Sequence, residues 1–233
     1  MMPDIFSSFD MYEFHSMWFM PKTATLILLP MIVLMLANNY WLSMNRYLTT
    51  LIYPMNIIFS QLMRTNSKHI KAYSLIIFNL FIVILIMNLM GMIPFSLSIT
   101  THLMLTLSLG LPLWFTVILS SFMYNKKEFI AKLLPDGAPN WLNPFLVIIE
   151  TISILVRPLT LSFRLAANMT AGHIVLSLLG IYTSLAISSS IMNTMLLVPV
   201  TMGYILFEFA ICTIQAYIFC LLLSLYTDDH SNN

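Results

Sequence analysis

Leu161-Ser162-Phe163-Arg164-Leu165-Ala166-Ala167-Asn168-Met169-Thr170-Ala171-Gly172-His173 is the stretch from which the rest of the chain is read. It sets a guanidinium in the middle of one of the most apolar regions of a very apolar sequence. Burial cannot discharge that group, because the arginine pKa stays above about 12 in proteins. Insertion scales put the cost of an arginine at the bilayer centre at about 2.5–3.5 kcal/mol, and such residues face a bundle interior or a water-filled cavity. No Asp or Glu lies within one helical turn of Arg164. Its partner must therefore come from another helix or another chain, which makes Arg164 a candidate functional residue rather than a structural one.

The remainder of the chain supplies the membrane. Hydrophobic residues make up 59% of the 233 positions and charged residues 8%, against roughly 25% charged in soluble domains. The expectation is an all-α integral membrane protein forming a single membrane domain over 1–233. A formal net charge of +1 excludes a basic footprint for nucleic acid. Cys212 and Cys220, eight apart in one apolar run, read as small hydrophobes and not as a disulfide or metal pair. No phosphate loop, nucleophile–base array or metal cluster stands out, so no covalent chemistry and no cofactor are expected. Met1 to Asp10 has no basic region followed by an apolar one, so neither a cleaved secretory signal nor an Arg-rich transit peptide is expected.

Outward from the arginine, the chain divides into about five membrane-embedded segments and one interfacial helix. Residues 1–22 are acidic and aromatic, which suits an interface. Thr23 to Tyr40 is a first crossing, near the length of about 20 residues that a hydrocarbon core requires. Residues 43–70 bring Arg46, Arg64, Lys68 and His69, and Leu51, Ile52, Met55, Ile58, Phe59 and Leu62 share one helical face, as in a helix lying in the interface. Residues 72–95 and 103–124 form an antiparallel hairpin, followed by Lys126, Lys127 and Lys132. The basic bias of 43–71 and 125–140 places both on the side of synthesis, with the N-terminus opposite. The count of crossings, and not charge, returns the C-terminus to the basic side, since Asp228 and Asp229 are acidic.

The last two apolar segments, 144–181 and 191–226, are each about 36 residues, or about 54 Å as helix. A hydrocarbon core is only about 30 Å thick, so they are either broken or a steeply slanted hairpin joined by the Ser-rich stretch 184–190. Glu150, Arg157 and Arg164 fall at seven-residue steps, which keeps them within about 20° of one face per step. Asn168 stays near that face, while His173 lies about 180° round the helix. Glu208 and Gln215, also seven apart, share a face of the final segment. If the fold sets His173 opposite Glu208, the two form a titratable pair of the kind that carries protons through membranes. Plain structural readings stand beside these: Glu150 and Arg157 neutralising one another, His173 as a hydrogen-bonded interior histidine, Gln215 as helix–helix glue. Ser162, Ala166, Ala167, Ala171 and Gly172 around the arginine invite a close-packed helix.

Arg164 to His173, with Glu150-Thr-Ile-Ser before it, Glu208 to Tyr217 after it and Asn88 to Pro94 in the second crossing, resembles subunit a of the F-type ATP synthase in its mitochondrial form. Bacterial relatives typically carry Glu where this chain has His173 and His where it has Glu208. The resemblance implies a stator that guides protons through two aqueous half-channels to and from a ring of carboxylate-bearing c subunits. By that analogy Arg164 separates the half-channels, His173 and Glu208 line the one from the intermembrane space, and Glu150 lies on the matrix exit. Asn168 and Gln215 are polar neighbours, and Arg157 is not carried over. The implied partners are the c-ring, other membrane and peripheral-stalk subunits, the bilayer and protons, in the mitochondrial inner membrane. A haem-binding redox subunit is the alternative class, but it calls for paired histidines at matching depth, which His69, His102 and His173 do not supply. A structural scaffold leaves Arg164 unexplained.

Overall fold

The computed structural model describes residues 46–65, 70, 72–93, 98–134 and 142–228. The N-terminal segment, the crossing expected at 23–40, Lys68, His69, Lys71, Pro94, the loop 135–140 and the residues after Asp228 lie outside them. All described elements are helical: α1 (Arg46–Leu62), α2 (Tyr73–Gly91), a 3-10 turn (Ile99–Thr101), α3 (Leu103–Tyr124), α4 (Lys126–Lys132), α5 (Asn143–Ser189) and α6 (Ile191–Asp228). Four of these, α2, α3, α5 and α6, are long and apolar enough to cross a membrane.

The two long segments are unbroken. Helix α5 has 47 residues and α6 has 38, about 70 Å and 57 Å at 1.5 Å per residue. Each runs through an internal proline, Pro158 and Pro199, of the kind membrane helices tolerate where neighbouring groups re-satisfy the backbone. Their hydroxyls stay inside the helix: Ser162 donates to the Leu159 carbonyl at 2.9 Å and Thr201 to Val198 at 2.8 Å. The same habit removes the Ser-rich turn expected at 184–190. Ser184 and Ser188 donate to the carbonyls of Ile181 and Leu185 at 2.7 and 2.8 Å, so α5 continues to Ser189. Only Ser190, extended at φ −162° and ψ 143°, reverses the chain.

Helix α6 packs against α5 on one side and α2 on the other, and α3 crosses α5. Ile77 and Ile84 of α2, Leu161 and Leu165 of α5, and Ala216, Phe219 and Leu223 of α6 form the shared core. The 3-10 turn lies across α5 and α2. Helix α1 buries Ile58 and Leu62 in this core but leaves Phe59 exposed, with Tyr53, Ile57 and Met63, so its apolar face is split between protein and surroundings. Phe59 still meets Phe78 of α2 edge to face at 6.4 Å, and Gln61 donates to the Tyr217 hydroxyl of α6. The basic stretch after α3 is not a plain loop: Lys126–Lys132 is a short helix, its first lysine over the Phe122 ring at 5.4 Å.

Candidate functional site

Helix α5 presents two unlike faces at the arginine. Leu161, Ser162, Leu165, Ala166, Met169 and Gly172 are buried against this chain's own helices. Thr160, Phe163, Arg164, Ala167 and Ala171 are exposed. The small residues around Arg164 therefore do not form a single packing surface. Ser162, Ala166 and Gly172 serve the internal contact, whereas Ala167 and Ala171 follow the arginine along the open face. Among the described residues, the ion pair within 4 Å is Arg157–Glu150, and Arg164 takes part in none.

About two turns beyond the arginine, the internal face of α5 closes on Glu208. That carboxylate is 2% exposed, and it fills the space where Gly172 has no side chain: a Cβ at 172 would overlap the Glu208 carboxyl group. Close approach of a side chain to bare backbone is the reason for glycine at this position. His173, the next residue, is partly buried with its Nε2 atom enclosed. Helices α5 and α6 thus bring the Glu208 carboxylate to the turn that bears His173, an arrangement that needs both helices. Tyr204, one turn earlier on α6, shares a side-chain hydrogen bond with Glu208, a partner the sequence reading did not single out.

Towards the other end of the pair, Asn168 Nδ2 donates to Gln215 Oε1 at 2.8 Å. This direct tie joins α5 to α6 one turn from Arg164, and it is the helix–helix bond the plain reading of Gln215 describes. Below it, Cys212 Sγ contacts Met169 Sδ at 3.5 Å, and Asn88 of α2, fully buried, donates to the Cys212 carbonyl at 3.3 Å. Asn88 was noted only for its resemblance to the family. Its intramembrane amide was the signal that would have marked it as a contact between helices.

Near the start of α5, Arg157 Nη2 lies 3.6 Å from Glu150 Oε1, with the two side chains 33% and 38% exposed. The same guanidinium lies over the Tyr226 ring of α6, 5.5 Å from its centroid. A cation so placed gains from the ring quadrupole as well as from the carboxylate. Arg157, set aside on sequence, therefore ties Glu150 to the far end of α6. Among the described residues no group of three or more His, Cys, Asp or Glu is placed to hold a metal ion.

Fold and site together define a helical membrane protein of several crossings, with titratable side chains enclosed between two long antiparallel helices and a bare cation on their outer face. The family model described as ATP synthase A chain matches residues 17–228, and the chain belongs to that family. Among similar proteins are the ATP synthase subunit a of Albinaria caerulea, 41% identical over 230 residues covering 99% of this chain and all of the relative, and the ATP synthase F(0) complex subunit a of Balaenoptera musculus, 37% identical over 215 residues covering 91% and 92%. The corresponding protein of Pan paniscus is 34% identical over 212 residues, 91% and 93% of the two chains. Membership makes this chain a membrane subunit and not a catalyst in its own right.

Proposed function

We propose that the chain is the proton-conducting stator subunit of a rotary ATP synthase in the mitochondrial inner membrane. It provides two aqueous half-channels to and from the carboxylates of a c-subunit ring, and Arg164 separates them. The observation that carries this reading is the setting of Arg164: exposed on the same face of α5 as Ala167 and Ala171, and outside any ion pair of the described residues. A carboxylate from another chain is the partner that fits such a cation. Beside a fixed guanidinium a ring carboxylate ionises more readily, and its proton leaves before the ring turns on. Protons enter past His173 and Glu208 and leave past Glu150, while Asn168 and Gln215 hold α5 and α6 in register between the two. Each proton crossing 100 mV delivers about 2.3 kcal/mol, the drive for rotation and for nucleotide chemistry in other subunits. The N-terminus then lies in the intermembrane space, with α1, α4 and the C-terminus on the matrix side. The remaining partners are the other membrane and peripheral-stalk subunits and the bilayer.

The test is coupled ATP synthesis and passive proton permeability in membranes carrying Arg164 variants. Arg164→Ala is expected to abolish synthesis and open a leak. Arg164→Lys is expected to lose most synthesis, because the ammonium is shorter and more strongly hydrated. Full synthesis in Arg164→Ala would sink the reading.

A further inference from the structure

The hairpin of α2 and α3 contains one strongly ionisable side chain. Between Tyr73 and Tyr124 there is no Asp, Glu, Lys or Arg, and His102 is the only histidine. It sits at the start of α3, immediately after the 3-10 turn, and its Nε2 atom is buried. Thr100 within the turn is fully buried, as is Asn88 one turn before the end of α2. The other polar groups of the turn satisfy each other: Thr101 donates to the Ser98 carbonyl at 2.6 Å, and the Ser98 and Thr101 hydroxyls lie 3.3 Å apart. Asn88 Oδ1, Thr100 Oγ1 and His102 Nε2 have no hydrogen-bond partner among the described residues.

Buried polar atoms in native proteins are rarely left unpaired, and a buried water commonly bonds about three of them. The contacts around the turn lead toward Glu208. Gly91 lets Ser98 and Met169 converge, since a Cβ there would stand 3.3 Å from Ser98 Cβ and 3.4 Å from Met169 Cε. Met169 touches Cys212, and Asn88 binds the Cys212 carbonyl. Cys212 is one turn from Glu208. The end of α2 is thus packed onto the stretch of α6 that carries the buried carboxylate, and the turn lies beside it against α5 and α2.

We infer that the end of α2 and the 98–102 turn hold bound water through Asn88, Thr100 and His102, and that this hydrated cluster is the inlet to Glu208, with His102 as its titratable member. The inference rests on the proton-path reading above. Water bridging the three orphaned atoms lets a proton pass to Glu208 along hydrogen bonds with no bond broken in the protein. The ionisable groups beside Glu208 are His173 on α5 and Tyr204 and Cys212 on α6; apart from His102, α2 and α3 carry only Tyr73 and Tyr124, at the ends away from the turn. Histidine is the side chain whose charge ordinarily changes between pH 5 and 8, so its removal is visible as a change in pH profile.

The experiment measures proton uptake from the intermembrane-space side, over a range of pH, in membranes with the assembled complex. Thr100→Val, which keeps the shape and deletes the hydroxyl, is expected to slow uptake several-fold, and Thr100→Ser to restore it. His102→Gln is expected to flatten the pH dependence of the rate. Glu208→Gln serves as the reference. If it blocks uptake while Thr100→Val and His102→Gln leave rate and pH profile unchanged, the cluster is a structural polar patch and the inference falls, with the half-channel intact. If Glu208→Gln also leaves uptake unchanged, the half-channel reading itself fails. Should Thr100→Val fail to assemble, the His102→Gln pH profile decides.

Discussion

Two carboxylates on the long hairpin meet the membrane in opposite ways. Glu150 is half-exposed and pairs with Arg157 two turns along its own helix, an arrangement that any continuous helix through 150–157 produces. Glu208 is buried, and the group it rests on is the bare backbone of Gly172, 36 positions earlier on a different helix. The first station depends on helical periodicity and the second on how closely two helices approach. A charge pair made within one helix survives small shifts of its neighbours. A carboxylate seated in a gap the width of a missing methyl group does not.

That contrast is most easily broken at the glycine. Gly172→Val places carbon atoms where the Glu208 carboxyl group lies, and overpacking of this kind costs about 1–3 kcal/mol. The expected outcome is loss of most proton uptake with the complex still assembled, checked by passive proton conduction and by co-purification of the ring. Normal conduction in that variant would show that Glu208 does not work from this pocket.

A somewhat smaller effect is expected from exchanging the titratable pair. His173→Ala and Glu208→Ala should each slow uptake, whereas the double change His173→Glu with Glu208→His keeps the composition of the pair and should retain part of the flux. Measured proton uptake equal to wild type in both single variants would remove the pair from the path.

The open station should respond less. Arg157→Gln removes a half-exposed ion pair, for which about 0–1 kcal/mol is typical, and the stacking on Tyr226. ATP synthesis should fall only mildly. A severe defect would mean that the cation required for coupling is Arg157 and not Arg164, and would reverse the contrast between the stations. The smallest change is expected from Asn168→Leu. Interhelical hydrogen bonds in bilayers average about 0.6 kcal/mol, so loss of the Asn168–Gln215 bond should lower the thermal stability of the subunit slightly. A thermal melt of the purified complex reads it, and a large collapse would give that bond a greater part than the geometry assigns.

The same contrast explains how much of the molecule was legible in advance. Hydropathy and length marked α2, α3, α5 and α6, because a bilayer accepts backbone only as helix or closed barrel. They did not mark the turn at Ser190: serines that look like turn residues in a soluble protein bond back to their own helix when no water competes. The amphipathic stretch was placed on the interface by its pattern, yet the exposure of Phe59 depends on where α2 and α6 leave room. The short helix Lys126–Lys132 was hidden by its charge.

By itself the sequence determined that this chain lives in a membrane, that Arg164 has no carboxylate on its own helix within a turn, and that Glu150, Arg157 and Arg164 share a face. Composition and a helical period of 3.6 residues suffice for all three. Only the tertiary structure decided that Glu208 belongs to Gly172, that Asn168 bonds Gln215, and that Arg164 stays open while the small residues beside it divide between two faces. Those outcomes depend on the distance and rotation between α5 and α6, which the packing of α2 and α3 against them fixes through contacts far apart in the chain.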